Sequence, residues 1–540
     1  MKAEKILVIG WDGATFDLID PLIKAGCMPN MAGLMRRGMS GPLASTIPAV
    51  TPVAWTTYMT GVNPGKHGVF DAFVLDREAC AMRFVSAKRR RVKPVWSILS
   101  DRGRAAGVVN VPVTYPPDKV SGVCISGMFT PPGAEDFMHP PGLQEELTAR
   151  FGRYLDSPAM YPDPERYLES LLSGVDWRAD LTIHLMERAP WEFFCSVFME
   201  SDRVQHFFWE YRDPAHPLHA KLHDAIEKVY IRLDKALGRI LEHVDGNAAV
   251  AMLSDHGAGP LRTAVFLNKW LIDQGYLAVK ADLQSLFTPR KPSALRRLAG
   301  KAARAVLPES LRKAGAKKKI AGMNRINDLF CQVVDWKRST AMSDGVSGGI
   351  FLNADALDEA GRAALVAGIK EKLLALTDPA TGQKPFEAVY EREEIYFGEA
   401  VSDAPDLITV CAPGYGVIVP HEFLLYSQEY LDSVFVKHKW SGRHEKYGIF
   451  LLAGPGAKAG ARLTNMEMAD VAPTLLYFLD EDIPDYMDGK VASEGVEPKT
   501  LRERPPKAGA ADMADDEAGE AYSEEDELEM AEGLKDLGYM

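Results

Sequence analysis

Six acidic and imidazole side chains stand at spacings that suit a divalent cation. Asp202 and His206 are four residues apart in "SDRVQH", so a helix there puts both on one face, where they can share one ion. Asp255 and His256 are adjacent in "LSDHG", after an apolar run, where loop backbone lets neighbouring side chains converge. Asp12 closes the run "KILVIGWD", and His444 sits in the glycine-containing loop "SGRHEKYG" ahead of another apolar run. Carboxylate with neutral imidazole is the donor set of zinc and other first-row divalent ions. The chain has neither an EF-hand loop nor an HExxH helix. The remaining histidines show no comparable geometry. His216, His219 and His223 share helical spacing but fall on a polar helix and are expected to be exposed.

A hydroxyl group stands out for a different reason. In "IPAVTPVAWTTYMTG", residues 47 to 61, Thr51 is placed as an N-cap with Pro52 at the first helical position and Gly61 as the stop. A residue there meets free backbone N–H groups and the positive end of the helix dipole, where an anion is favoured. Thr56, Thr57 and Thr60 fall inside the helix, where packing or bonding to the preceding turn is expected.

The elements that must carry these residues follow from hydrophobic patterning. Short apolar runs at 5–11, 105–111, 122–126, 193–199, 248–253, 406–411 and 448–454 read as strands buried on both faces. Helical patterns at 15–38, 52–60, 142–151, 164–189, 215–243 and 467–479 lie between them, and the alternation implies an α/β fold with a mainly parallel sheet. A further strand at 348–353 and a helix at 359–376 put later parts of the chain back into folded structure. Ligands bind beyond the carboxyl ends of such strands. Three of the runs end in acids, at Asp12, Asp202 and Asp255, which points to one electronegative site at one edge of the sheet.

Composition narrows the function further. The chain of 540 residues has a net charge of -13, which argues against a general nucleic-acid binder while leaving small anions open. Cys27, Cys80, Cys124, Cys195, Cys331 and Cys411 are scattered without a CxxC pair, so reduced thiols are expected rather than a disulfide framework. The N-terminal apolar run is too short for a signal peptide, and no stretch approaches the roughly 18 apolar residues of a membrane span. The expected location is the cytoplasm. Residues 290–319 carry eleven Lys or Arg against Glu309 alone, and read as a solvated surface helix pair or mobile insert, with contact to an anionic surface as the alternative. The last thirty residues contain twelve Asp or Glu and only Lys535, and read as an acidic, partly disordered tail whose final "ELEMAEGLKDLGYM" has helical apolar spacing suited to docking on the body.

Taken in chain order, "DG" at Asp12, "MPNMAGLMRRG" at 28–38, "PAVTPVAWTTYMTGVNPGKHG" at 48–68, "SDRVQH" at 201–206, "SDHG" at 254–257 and "SGRH" at 441–444 resemble the alkaline phosphatase superfamily. The similarity is closest to its type I phosphodiesterase and nucleotide pyrophosphatase branch. The resemblance implies a three-layer α/β/α sandwich with an inserted cap. The corresponding division is a first catalytic part at 1–262, an insert at 263–440, a final catalytic part at 441–500 and a tail at 501–540. It implies two divalent ions, zinc first, although manganese, iron or magnesium suit the same donors. Asp12, Thr51, Asp255 and His256 would hold one ion, and Asp202, His206 and His444 the other. Thr51 would be the nucleophile of a double displacement through a phosphothreonine, acting on a small phosphate ester such as a nucleotide or a lipid head group.

One departure bears on the substrate. Relatives in this branch carry "TFPN" where this chain has "TPVA", so Ala54 replaces an asparagine that would hold a phosphate oxygen. The backbone N–H groups after Thr51, or a basic residue among Lys66, Arg203, Lys439 and Arg443, are the candidates to replace it, and Trp55 is a candidate to stack on a leaving group. The alternatives are a phosphomonoesterase or a phosphoglycerate-mutase-like phosphotransferase, with a non-catalytic metal-binding scaffold as a reading from another class.

Overall fold

The computed structural model describes residues 2–530 except 77–80, 155–156, 281–333, 344–346, 354–356, 418–432, 439, 511–520, 524–525 and 528–529. The basic segment 290–319 and the "LGYM" ending lie outside the described residues.

Ten strands form the central sheet. In chain order they are β1 (Lys5–Trp11), β2 (Gly38–Ala44), β3 (Ala106–Val111), β4 (Gly122–Ser126), β5 (Met138–His139), β6 (Phe193–Phe198), β7 (Ala248–Leu253), β8 (Tyr447–Ala453), β9 (Ala461–Arg462) and β10 (Met466–Glu467). The spatial order is β9-β2-β8-β7-β1-β6-β3-β4-β5, with β10 also on β2. From β7 through β1, β6 and β3 to β4 every pairing is parallel. Strand β8 runs antiparallel to both β7 and β2. The sheet is therefore mainly parallel, as the alternation of runs and helices predicts.

The apolar runs become strands because they are sandwiched: β3, β6 and β7 are buried at every position. One helical group joins Pro29–Arg37, Pro164–Arg188, Glu200–Phe208 and Ala225–Leu241, and another joins Thr51–Thr60, Val95–Asp101 and Val471–Phe478. Between them they enclose a core with Trp11, Trp55 and Trp96 among its largest fully buried side chains.

Several expectations are corrected. The stretch 15–38 is two helices, Phe16–Lys24 and Pro29–Arg37, because the chain turns at Ala25–Cys27 and restarts with a proline in the first helical turn. The pattern at 215–243 likewise divides into His219–Leu222 and Ala225–Leu241. The run at 406–411 is not a central strand: Leu407–Cys411 pairs with Gly349–Leu352 and Phe386–Glu391 in a separate antiparallel sheet. That sheet shares a second hydrophobic cluster with the helix Glu359–Ala375. Strand β2, "GMSGPLA", escaped hydrophobic patterning because its glycines and proline carry no strand signal.

Of the cysteines, Cys27, Cys124, Cys195 and Cys411 are free thiols. Among the described residues no helix is long and apolar enough to cross a membrane.

Candidate metal centre

The topology gathers the candidate ligands. Strands β7, β1 and β6 are adjacent and parallel, so their carboxyl ends deliver Asp255 with His256, Asp12 and Asp202 side by side. Strand β8 runs the other way, so its amino end reaches the same edge and brings His444. That histidine lies on the short strand Gly442–Glu445, which pairs with Gly257–Pro260 just after His256. Strand β2, antiparallel to β8, also ends at this edge and leads into the helix Thr51–Thr60.

Two groups of ligand-capable atoms result, Asp12–Asp255–His256 and Asp202–His256–His444, the atoms of each lying within 4.8 Å of one another. His256 belongs to both, with Nε2 3.2 Å from Asp255 Oδ2 and 3.6 Å from Asp12 Oδ1. His206 completes the second group, its Nε2 3.1 Å from Asp202 Oδ1 and 3.0 Å from His444 Nε2. Thr51 Oγ1 lies 3.3 Å from His256 Nε2, so the hydroxyl stands at the shared imidazole.

The chemistry of this donor set fits cations. Each histidine has Nδ1 against a backbone carbonyl: His206 at 3.0 Å from Gly442, His444 at 3.0 Å from Ala49 and His256 at 2.9 Å from Gly257. A carbonyl accepts only from N–H, so Nδ1 carries the proton and the Nε2 lone pairs face inward, where a cation could take them. Asp12 Oδ1 and Asp255 Oδ2 are buried and accept no hydrogen bond, a costly arrangement for a carboxylate unless a cation completes it.

The electrostatics carry the same strain. Burial, then the Asp255 and Asp202 carboxylates, push Asp12 well above the usual carboxyl range, against the pull of the Trp55 N–H and Arg203. Burial also lifts Asp255, to about 6, despite His256 and the Gly13 N–H. Asp202 is buried too, with His206 and His444 Nε2 3.1 and 3.6 Å from its Oδ1. Burial, then His256 and His206, lower His444 well below an ordinary imidazole and keep it in the neutral form that binds metal.

Thr51 is one residue further into its helix than a cap. Ala54 N–H bonds to the Val50 carbonyl at 3.0 Å, which makes Val50 the cap and leaves the Thr51 hydroxyl free of a capping role. Thr56 and Thr60 bond back to the Pro52 and Thr56 carbonyls at 2.7 and 2.6 Å, and Thr57 pairs with buried His67 at 2.9 Å.

The candidates for the substrate role fare differently. Trp55 is fully buried, and its indole N–H donates to Asp12 Oδ2 at 2.8 Å. It holds a candidate ligand from behind and offers no face to a leaving group. Lys66 turns away to Asp488 and the Tyr486 carbonyl. Arg443 donates to the Ala412 carbonyl and to its own neighbour His444 O at 3.1 Å, and pairs with Glu445 at 3.4 Å. Arg203 is buried and lines a second cavity of about 370 Å³. Lys439 lies outside the described residues. Ala54 is fully buried inside the helix.

A cavity of about 510 Å³ opens over the centre, with Thr51, His206 and His444 in its floor and Phe73, Phe129 and Trp440 among its walls. Asp71 also lines it, buried, with Ser347 Oγ donating to its carboxylate.

Other functional positions escaped sequence reasoning. Gln205 Nε2 donates to the Gly13 carbonyl at 2.8 Å, and Gly13 N–H donates to Asp255 Oδ1 at 3.1 Å, so the first loop is tied to both groups. Gly13 has φ +66, the left-handed region, and a Cβ there would sit 3.1 Å from Asp202 Oδ1. At Gly442 a Cβ would fall 2.2 Å from the Gln205 carbonyl oxygen. The only sequence signal for these positions was proximity to a ligand, as in "WDG", "VQH" and "SGRH".

Fold and site together define a class: an α/β enzyme scaffold that presents a hydroxyl to clustered carboxylate and imidazole ligands at the carboxyl edge of its sheet. The family model for type I phosphodiesterase / nucleotide pyrophosphatase matches residues 6–422, and the chain belongs to that family. No curated protein sequence matches it. Among solved structures, wild-type alkaline phosphatase PafA is similar at 14% identity, covering 92% of this chain and 99% of that one, with a TM-score of 0.54. Phosphonoacetate hydrolase from Sinorhizobium meliloti 1021 is similar at 14% identity over 87% of this chain and 94% of that one, with a TM-score of 0.54. Human ectonucleotide pyrophosphatase/phosphodiesterase 5 matches at 13% identity over 93% and 99%, with a TM-score of 0.47. The fold is that of the alkaline phosphatase superfamily, and the chain is a phosphoric ester hydrolase.

Proposed function

We propose that the chain is a phosphodiesterase that uses Thr51 as nucleophile beside two divalent cations, zinc first. Asp12, Asp255 and His256 would hold one cation, and Asp202, His206 and His444 the other. The observation that carries this reading is the pair of buried carboxylate oxygens, on Asp12 and Asp255, that accept no hydrogen bond and lie among imidazole Nε2 atoms beside the Thr51 hydroxyl. When bound, the cations would lower the pKa of the hydroxyl and offset charge on the phosphate.

The chain's own residues do the rest. Thr51 Oγ1 attacks phosphorus, a new P–O bond forms to the threonine as the bond to the leaving oxygen breaks, and the hydroxyl proton passes through solvent to the leaving alcohol. Water then attacks the phosphothreonine, the Oγ1–P bond breaks, one water proton restores the Thr51 hydroxyl and the remaining phosphate product leaves. Thr51 stands at the first turn of its helix, where unpaired backbone N–H groups favour an anion. Trp55 fixes the Asp12 carboxylate, and the Ala49, Gly257 and Gly442 carbonyls fix the three imidazoles. A diester is favoured over a monoester because, among the described residues, the acids lining the cavity, Asp71, Glu387 and Glu445, outnumber its cations Lys446 and Arg443, the latter already paired with Glu445 at 3.4 Å, which suits a phosphate of lower charge.

The test is kcat/KM of the zinc-loaded protein on a matched aryl phosphate monoester and diester, with Thr51→Ala alongside. The expected result is a diester preference that falls by about 10³ or more in the variant, with bound zinc retained. Near-normal turnover by Thr51→Ala with zinc bound would sink the mechanism, and a monoester preference would move the phosphatase reading ahead.

A further inference from the structure

The acidic C-terminal segment, which the mechanism does not use, reaches the wall of the substrate cavity. Tyr522 is buried, and its ring stacks on Tyr115 with centroids 5.7 Å apart and planes 10° from parallel. Its hydroxyl is 3.0 Å from the Val85 carbonyl and 2.9 Å from the Phe129 carbonyl, so one proton is shared between two acceptors on separate segments. Glu527 adds an ion pair to Arg83 at 2.9 Å, and Met530 is buried against the same region.

Those two segments build the wall. Val85 follows the hairpin formed by Phe73–Asp76 and Ala81–Phe84, and its N–H bonds to the Ala72 carbonyl at 3.0 Å. Phe73, Met128 and Phe129 all line the cavity that has Thr51 in its floor. The aromatic rings link up as well, Phe73 to Phe84 at 4.6 Å and Phe84 to Phe129 at 6.1 Å. Phe129 has φ +75, a left-handed conformation that costs a side-chain-bearing residue energy and persists only where its surroundings hold it. Met128 and Phe129 also face the cavity of about 370 Å³ that Met530 lines, so they form a partition between two open spaces. Met128 and Phe129 are themselves buried, and the Met128 carbonyl accepts from Val113 N–H at 3.3 Å, so the Tyr522 hydroxyl adds the tie at Phe129 to a wall already packed into the core.

We infer that Tyr522 is a positioning residue for substrate specificity: its hydroxyl ties the Val85 and Phe129 carbonyls together and so fixes the Phe73–Met128–Phe129 wall against which the second ester arm of the substrate rests. The inference rests on the phosphodiesterase reading. It assigns the C-terminal segment a part in the site, although that segment contributes no reacting group. Burial, then neighbouring Tyr115, Glu527 and Asp526, raise the Tyr522 phenol well above its ordinary range, which favours the protonated donor.

The experiment compares full-length, zinc-loaded wild type with Tyr522→Phe, which keeps the stacked ring and removes only the hydroxyl. Two diesters with the same leaving group are used, bis(p-nitrophenyl) phosphate with a bulky second arm and methyl p-nitrophenyl phosphate with a small one. The expected result is a KM about fivefold higher for the bulky diester, the worth of one hydrogen bond, with kcat and the methyl diester changed by less than about twofold. Amide hydrogen exchange is read in parallel at Val85 and Thr130, and it is expected to accelerate in the variant. An unchanged ratio between the two diesters, or unchanged exchange at both amides, overturns the inference. Inertness of the wild type toward both diesters would instead overturn the phosphodiesterase reading, while exchange would still decide whether Tyr522 holds the wall.

Discussion

Replacing Trp55 with phenylalanine tests whether a residue outside the ligand set governs metal binding. The indole N–H donates to Asp12 Oδ2 at 2.8 Å in a fully buried setting, and the other oxygen of that carboxylate accepts nothing. Phenylalanine keeps an aromatic ring against Tyr58, which Trp55 meets edge to face at 5.5 Å, but it loses the donor and one ring of volume. A hydrogen bond to a charged acceptor is worth about 1.5–3 kcal/mol. A vacated volume of roughly 40 Å³ adds about 1 kcal/mol at ~24 cal/mol per Å³. The first figure alone corresponds to a loss of about 10- to 100-fold in zinc affinity, the range expected when an outer partner of a metal ligand is removed. Competition with a chromophoric chelator measures that affinity, and near-UV circular dichroism confirms the fold. Activity is expected to fall at limiting zinc and to recover at saturating zinc. A folded variant whose zinc affinity stays within about twofold of wild type would refute the reasoning and reduce Trp55 to packing.

Two further perturbations address the frame and the cavity. Gly442→Ala places a Cβ 2.2 Å from the Gln205 carbonyl oxygen, so the backbone must shift at the residue whose own carbonyl orients His206. The expected result is a loss of stability of about 1–3 kcal/mol with reduced zinc content, and unchanged denaturant midpoint and zinc content would refute it. Asp71 is held neutral up to about pH 6, because burial raises its carboxyl more than the Ser347 hydroxyl and Ala72 amide lower it. Between the unfolded and folded values the native state binds more protons than the unfolded one, so its contribution to stability is lost as pH rises from about 4 to 6. Asp71→Asn does not titrate, and its stability relative to wild type should improve by about 2.4 kcal/mol between pH 4 and pH 7 in urea unfolding, whereas a constant difference would count against the assignment.

The candidate ligands stood out in the sequence because metal chemistry restricts residue types severely and strand ends restrict where they can stand. Asp12, Asp202 and Asp255 each follow an apolar run by one to four residues, a pattern visible without neighbours. Strand β2 was not legible, since "GMSGPLA" draws its strand character from pairing along β8. Trp55 was legible as a residue near Thr51 and illegible as a hydrogen-bond donor. The direction of its indole depends on β1 lying beside the helix.

What the sequence by itself determined about this protein is its α/β class, the identity of the candidate ligands and the hydroxyl among them. Those follow from local periodicity and from the chemistry of side chains, both of which survive in one dimension. Only the tertiary structure decided that His256 stands between the two ligand groups, that Arg443 and Lys66 face other partners, and that Tyr522 reaches Phe129 across 393 positions of chain. Orientation and partnership depend on strand order and direction, and the antiparallel β8, which brings His444 back to the edge where Asp12 emerges, leaves no mark in local periodicity.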